Sequence, residues 1–203
     1  AELTSAFLIS GNEDYARHAL RHLYAWFVDP ATRMRPHLLY AQAIKGRVTG
    51  RGIGIIDTIH LIEVAQSIIK LQEAEGIDDA ALVPVVDWFA GYLEWLTTHP
   101  FGIDEREAKN NHGTCWVMQV AAFAKLTNNQ VWMDYCRQRY KTVLLPGQMA
   151  VDGSFPLETA RTKPYGYSLF NLDAMATICQ ILSTDHDNLW EYETDCGRSI
   201  KRG

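Results

Sequence analysis

Apolar residues recur at helical spacing along this chain, and no segment alternates in the manner of a strand, which excludes a sheet-based fold. The first helix is predicted over Asp14–Val28, with Ala16, Leu20, Leu23 and Phe27 toward one side. It stops at Asp29-Pro30, because the residue before a proline disfavours helix. A second runs over Ile55–Glu75, with Gly76 as its left-handed stop. A third covers Asp79–Thr98 and tolerates Pro84 near its first turn. The fourth is Cys115–Leu126, capped by Thr114. The fifth, Gln130–Leu145, is halted by Pro146-Gly147, and the sixth covers Tyr167–Leu182.

Between these helices lie three long irregular stretches, Asp29–Gly54, His99–Thr114 and Pro146–Gly166. Loops of that length are uncommon and are often functional. Sequential helices with long loops on one side fit an all-α fold, an α/α toroid of helical hairpins, with an irregular bundle as the alternative. Residues 1–203 read as one domain, and 47% hydrophobic residues supply a sizeable core. The opening AELTSAFLI shows no basic leader, and the closing DCGRSIKRG reads as the start of an unfinished helix. Both ends are therefore expected to be cut, leaving an incomplete barrel.

A net charge of −5 argues against a nucleic-acid partner. It leaves room for a polyanionic substrate, because a cleft can concentrate positive charge on an acidic protein. No apolar run is long enough to span a bilayer. The four cysteines are too scattered for a zinc ribbon. Cys179 and Cys196 could pair in a secreted protein; buried free thiols are the favoured reading.

Polar chemistry gathers in the long loops. The first, DPATRMRPHLLYAQAIKGRVTGRGIGIID, carries Arg33, Arg35, Arg47, Arg51, Lys45, His37 and Tyr40. Its glycines predict a mobile backbone, and no Lys-Ser or Lys-Thr follows them as a phosphate loop would need. It reads either as a solvated basic loop or as an anion-binding lid. The second ends in KNNHGTCW. Asn110, Asn111 and His112 stand before a helix start, where free N–H groups and the positive dipole end favour a carboxylate. Capping and turn formation are the plainer alternative for them. The third loop brings Arg161 and, six residues on, Tyr167, with Tyr165 between. Arg is a permanent cation suited to a carboxylate, and a neighbouring positive charge favours a phenolate. A surface ion pair with Glu158 is the plainer role for Arg161.

Other groups are weaker. Asp57 and Asp173 could form a carboxylate pair for glycoside hydrolysis. His60 and Glu63 are more simply a helix-surface pair than metal ligands. Trp88, Tyr92 and Trp95 form a stripe expected in the core rather than as a sugar platform.

Asn, His, Arg and Tyr around one carboxylate require no metal and no cofactor, and they suit β-elimination in a uronic-acid polymer. Hydrogen bonds from Asn111, His112 and Arg161 would stabilise the enolate-like dianion formed when C5 loses its proton. Tyr167 can take that proton as phenolate and return one to O4 as phenol. If proton and leaving group lie on opposite faces, His112 is the base and Tyr167 the acid.

NNHGTCW, then DGSFP, then ARTKPYGYSLFNLDAMA together resemble the alginate lyase-like polysaccharide lyases of α/α-toroid fold. DPATRMRPHLLYAQAIKGRVTGRGIGIIDT is similar to that family's first loop, and the likeness runs from Tyr24 to Arg198. The resemblance implies a lyase acting on alginate or a related polyuronate such as glucuronan. Asn111 and His112 would neutralise the carboxylate, Arg161 would assist, and Tyr167 would open the last helix as the catalytic Tyr. Tyr40 would cover the substrate, with Asn110, Arg51 and Tyr165 as further binding residues. The substrate class implies a secreted or periplasmic protein. Cys115-Trp116-Val117, and Arg35 with His37, depart from the family pattern and are expected to alter the subsite lining. A hydrolase on the same toroid, or a non-catalytic carbohydrate-binding domain, are the alternatives.

Overall fold

The computed structural model describes residues 1–203. It is all-α, an arc of an α/α toroid, and its sole β feature is an isolated Ile44–Val48 bridge. The helices are α1 (Glu2–Ser10), α2 (Glu13–Phe27), α3 (Leu61–Gln72), α4 (Val83–Thr98), α5 (Pro100–Arg106), α6 (Asn111–Leu126), α7 (Gln130–Arg139), α8 (Leu145–Gln148), α9 (Pro156–Thr159) and α10 (Pro164–Leu182).

The centre is α6, which packs against α3, α4, α5, α7 and α10. Its sequence, NHGTCWVMQVAAFAKL, is apolar nearly all round, as a helix enclosed by others must be. Phe89, Tyr92 and Phe123 pack ring on ring where α4 meets it. Trp88 and Tyr92 are buried and Trp95 is half-buried, so the aromatic stripe belongs to the core. Thr58, Tyr92 and Gln119 join in a hydrogen-bonded cluster. It satisfies polar atoms that burial would otherwise leave costly.

Several boundaries differ from the sequence pattern. A 3-10 segment, Gly52–Thr58, precedes α3 and is bent 45° from it, so the predicted Ile55–Glu75 helix is two pieces. That helix also ends at Gln72, before Gly76, whose φ of 84° makes a turn instead. Pro146 does not halt the fifth helix. A π-helical turn, Tyr140–Leu144, shifts the register, and Pro146 falls in the first turn of α8, where its missing N–H costs nothing. The short helices α1, α5 and α9 fall in segments too brief to show a period.

At two of its glycines the first loop is packed closely against other residues. A Cβ at Gly50 would overlap the Leu39 carbonyl, and one at Gly54 would strike the Ala41 side chain. The glycines permit close packing of backbone on backbone. Cys115, Cys136 and Cys179 are buried free thiols and Cys196 is exposed, so no Cys179–Cys196 disulfide exists. No single helix is long and apolar enough to cross a membrane.

Candidate active site

Asn110, not Thr114, caps α6: its Oδ1 accepts the His112 N–H at 3.3 Å. The helix therefore begins one turn earlier than expected, and Asn111 and His112 lie in its first turn. Thr114 is buried and donates to Gln148 Oε1 at 2.9 Å. Gly113 follows because a Cβ there would overlap the Ala108 carbonyl.

Each of the two motif side chains rests on a buried carboxylate. Glu158, 1% exposed, accepts the Asn111 backbone N–H and its Nδ2, both at 2.7 Å. This fixes the Asn111 amide, since a carboxylate can only accept. Glu105, 2% exposed, lies 2.6 Å from His112 Nδ1. Glu105 is carried by α5, which His99 caps through a 3.1 Å bond to the Phe101 N–H. One turn below Asn111, the Cys115 thiol is pushed up to about 12, chiefly by burial, with the Glu105 and Glu158 charges adding. Both acids therefore lie close to one point under the start of α6.

Helix α10 starts at Pro164, one turn before the predicted Tyr167, because proline suits a first turn. Tyr167 thus sits in its opening turns, half-buried. The Arg161 guanidinium lies 4.1 Å from the Tyr167 ring centroid. It covers the ring face and makes no ion pair with Glu158, whose carboxylate is taken by Asn111. Gln148 ties the two helices together. Its Oε1 accepts Thr114 of α6 and Asn171 of α10, both at 2.9 Å, and its Nε2 donates to the Asn110 carbonyl at 3.0 Å. Asn171 lies one helical turn beyond Tyr167 and Thr114 about one beyond Asn111, so the two helix starts sit side by side.

Tyr165 is 77% exposed near the same helix start, and Tyr40 is 70% exposed on the first loop. Arg51 is half-buried and bonds to Gln42, through Nε to its carbonyl at 3.0 Å and Nη2 to its Oε1 at 3.1 Å. Gln42 in turn donates to Asp57 at 3.0 Å. Arg51 therefore braces the loop that carries Tyr40, whereas Arg33, Arg35, Lys45 and Arg47 face solvent.

Asp57 is not among the residues that line the groove beside Asp173. Asp173 lines a groove of about 380 Å³ between α3 and α10, together with His60 and Glu63, while Asp57 is held by Gln42. Nowhere do three His, Cys, Asp or Glu side chains gather to hold a metal ion. Cys115, Trp116 and Val117 are all fully buried, so that departure from the family pattern alters the core and not a subsite. The sequence reading missed Glu105 and Gln148 and gave Glu158 the wrong partner. Each lies in or beside a segment without a period, where spacing carries no signal.

A helical toroid arc thus carries an amide, an imidazole, a guanidinium and a phenol at two adjoining helix starts. The chain belongs to the alginate lyase family, whose profile matches residues 1–203. Among solved structures, an alginate lyase from Bacteroides ovatus matches with a TM-score of 0.92 and 36% identity, over 98% of this chain and 53% of that one. The chain thus spans about half the length of that protein. No curated protein matches it.

Proposed function

We propose that the protein is a polysaccharide lyase that cleaves a uronic-acid polymer, alginate or a related polyuronate such as glucuronan, by β-elimination. Family membership supports the class of reaction. One observation supports the site: the first turn of α6 and the Arg161–Tyr167 stack are tied together through Glu158 and Gln148.

Asn111, through the Nδ2 hydrogen that Glu158 leaves free, and Arg161 take up charge at the substrate carboxylate as C5 loses its proton, while His112 stands beside them with its Nδ1 held by Glu105. Each preorganised donor contributes about 3 kcal/mol to lowering the barrier. Tyr167 serves as base and acid when H5 and O4 lie on one face. On opposite faces, His112 takes the proton and Tyr167 protonates O4. Tyr40, Asn110, Arg51 and Tyr165 would hold neighbouring sugars, Arg51 by bracing the loop. Such polymers lie outside cells, so the protein is proposed to be secreted or periplasmic. The hydrolase alternative is weakened because the Asp57 carboxylate is taken up by Gln42.

Elimination creates a C4–C5 double bond conjugated to the carboxylate, which absorbs ultraviolet light. Wild-type protein should raise that absorbance with a polyuronate. Tyr167→Phe should lower kcat by roughly 10²-fold or more while the melting temperature holds. Reducing ends without absorbance would point to hydrolysis, and binding without either would indicate a non-catalytic domain.

A further inference from the structure

His112 holds a buried carboxylate on one ring nitrogen and no protein group on the other. Nδ1 meets Glu105 Oε1 at 2.6 Å. Nε2 has no protein hydrogen bond and is not sealed from solvent. A carboxylate only accepts, so the hydrogen of a neutral ring sits on Nδ1 and the lone pair on Nε2. Such a pairing fixes both tautomer and ring direction, which is the task of the acid in a hydrolase triad. Little else would place an acid here, since Glu105 is buried at the end of α5 and forms no ion pair with Lys or Arg.

We propose that Glu105 is a positioning residue that holds His112 with Nδ1 protonated, so that Nε2 faces the cleft as a proton acceptor. The proposal rests on the lyase reading and assigns the base for uronates whose H5 lies opposite O4. In that step the C5–H bond breaks and its proton passes to Nε2. The electron pair forms the C4–C5 double bond, the C4–O4 bond breaks, and the Tyr167 phenol gives its proton to O4. Glu105 touches no substrate; its charge faces the imidazolium as it forms.

The two uronates of alginate separate the roles, because mannuronate has H5 and O4 on one face and guluronate has them opposed. The first measurement needs no substrate. Imidazole 15N resonances of the wild-type protein, with His112 identified by its loss in His112→Gln, should show the Nδ1–H tautomer. In Glu105→Gln an Nε2–H population should appear, because an amide both donates and accepts. That variant should lose kcat on polyguluronate by roughly 10²-fold, with KM within about twofold, and lose less on polymannuronate. Glu105→Asp, still an acceptor, should keep the tautomer and recover part of the rate. An Nε2–H tautomer in the wild type would overturn the proposal. So would full polyguluronate activity in Glu105→Gln, or a wild type that cleaves polymannuronate alone. Absence of any ultraviolet-absorbing product from every polyuronate would instead sink the lyase reading, and the tautomer result would stand apart from it.

Discussion

The two halves of the candidate site are built in opposite ways. Asn111 is 1% exposed, and it and His112 are each bonded to a buried carboxylate on a separate short helix. Arg161 is exposed, and the contact it makes with Tyr167 is a guanidinium resting on a ring face. Groups tied to buried carboxylates are held in one geometry, because breaking those bonds strands the carboxylates away from water. An exposed cation–π contact is worth about 0.5–1 kcal/mol and rearranges easily. One half is thus held in a single geometry, and the other can adjust.

That contrast predicts different failures. Glu158→Ala strikes the fixed half. It strands the Asn111 N–H and amide, each costing about 1–3 kcal/mol, so denaturant unfolding should show a loss of about 3 kcal/mol together with lost activity. A variant with unchanged stability would break the comparison. Arg161→Lys strikes the adjustable half. An ammonium cannot reproduce the planar donor fork, so kcat/KM should fall on the order of tenfold while the unfolding midpoint holds. A large stability loss there would show that Arg161 also belongs to the fixed half. The smallest effect concerns the thiols. Burial pushes Cys115 up to about 12 and Cys179 up to about 11, so under native conditions a thiol reagent should modify Cys196 alone. Modification of Cys115 would mean that the base of α6 opens to solvent.

Much of the helical framework was legible because long helices carry their period. Asp14–Val28 became Glu13–Phe27, and the ends of α4, α6 and α10 fell at Thr98, Leu126 and Leu182 as predicted. The starts were less legible. Asn110 and Thr114 are both good capping residues, and the choice was made by Thr114 reaching Gln148 in the core. Likewise, Pro146 reads as a stop until the π-helical turn before it shifts the register. The site motif was readable as a string of unusual residues, while its supporting acids were not. Glu105 lies seven residues from His112 but on a different helix, and Glu158 forty-seven from Asn111, so neither pairing follows from a period within one helix.

By itself the sequence determined that the chain is helical and where most helices end, and it singled out one amide, imidazole, guanidinium and phenol as candidates. Periodicity and residue chemistry are local properties, and they survive without coordinates. Tertiary structure decided which carboxylate each of these groups faces, that Arg51 braces a loop, and that Gly50 and Gly54 are packed tight. Those facts depend on which backbone segments approach across the core, and burial makes each such approach selective for the few side chains that can satisfy it.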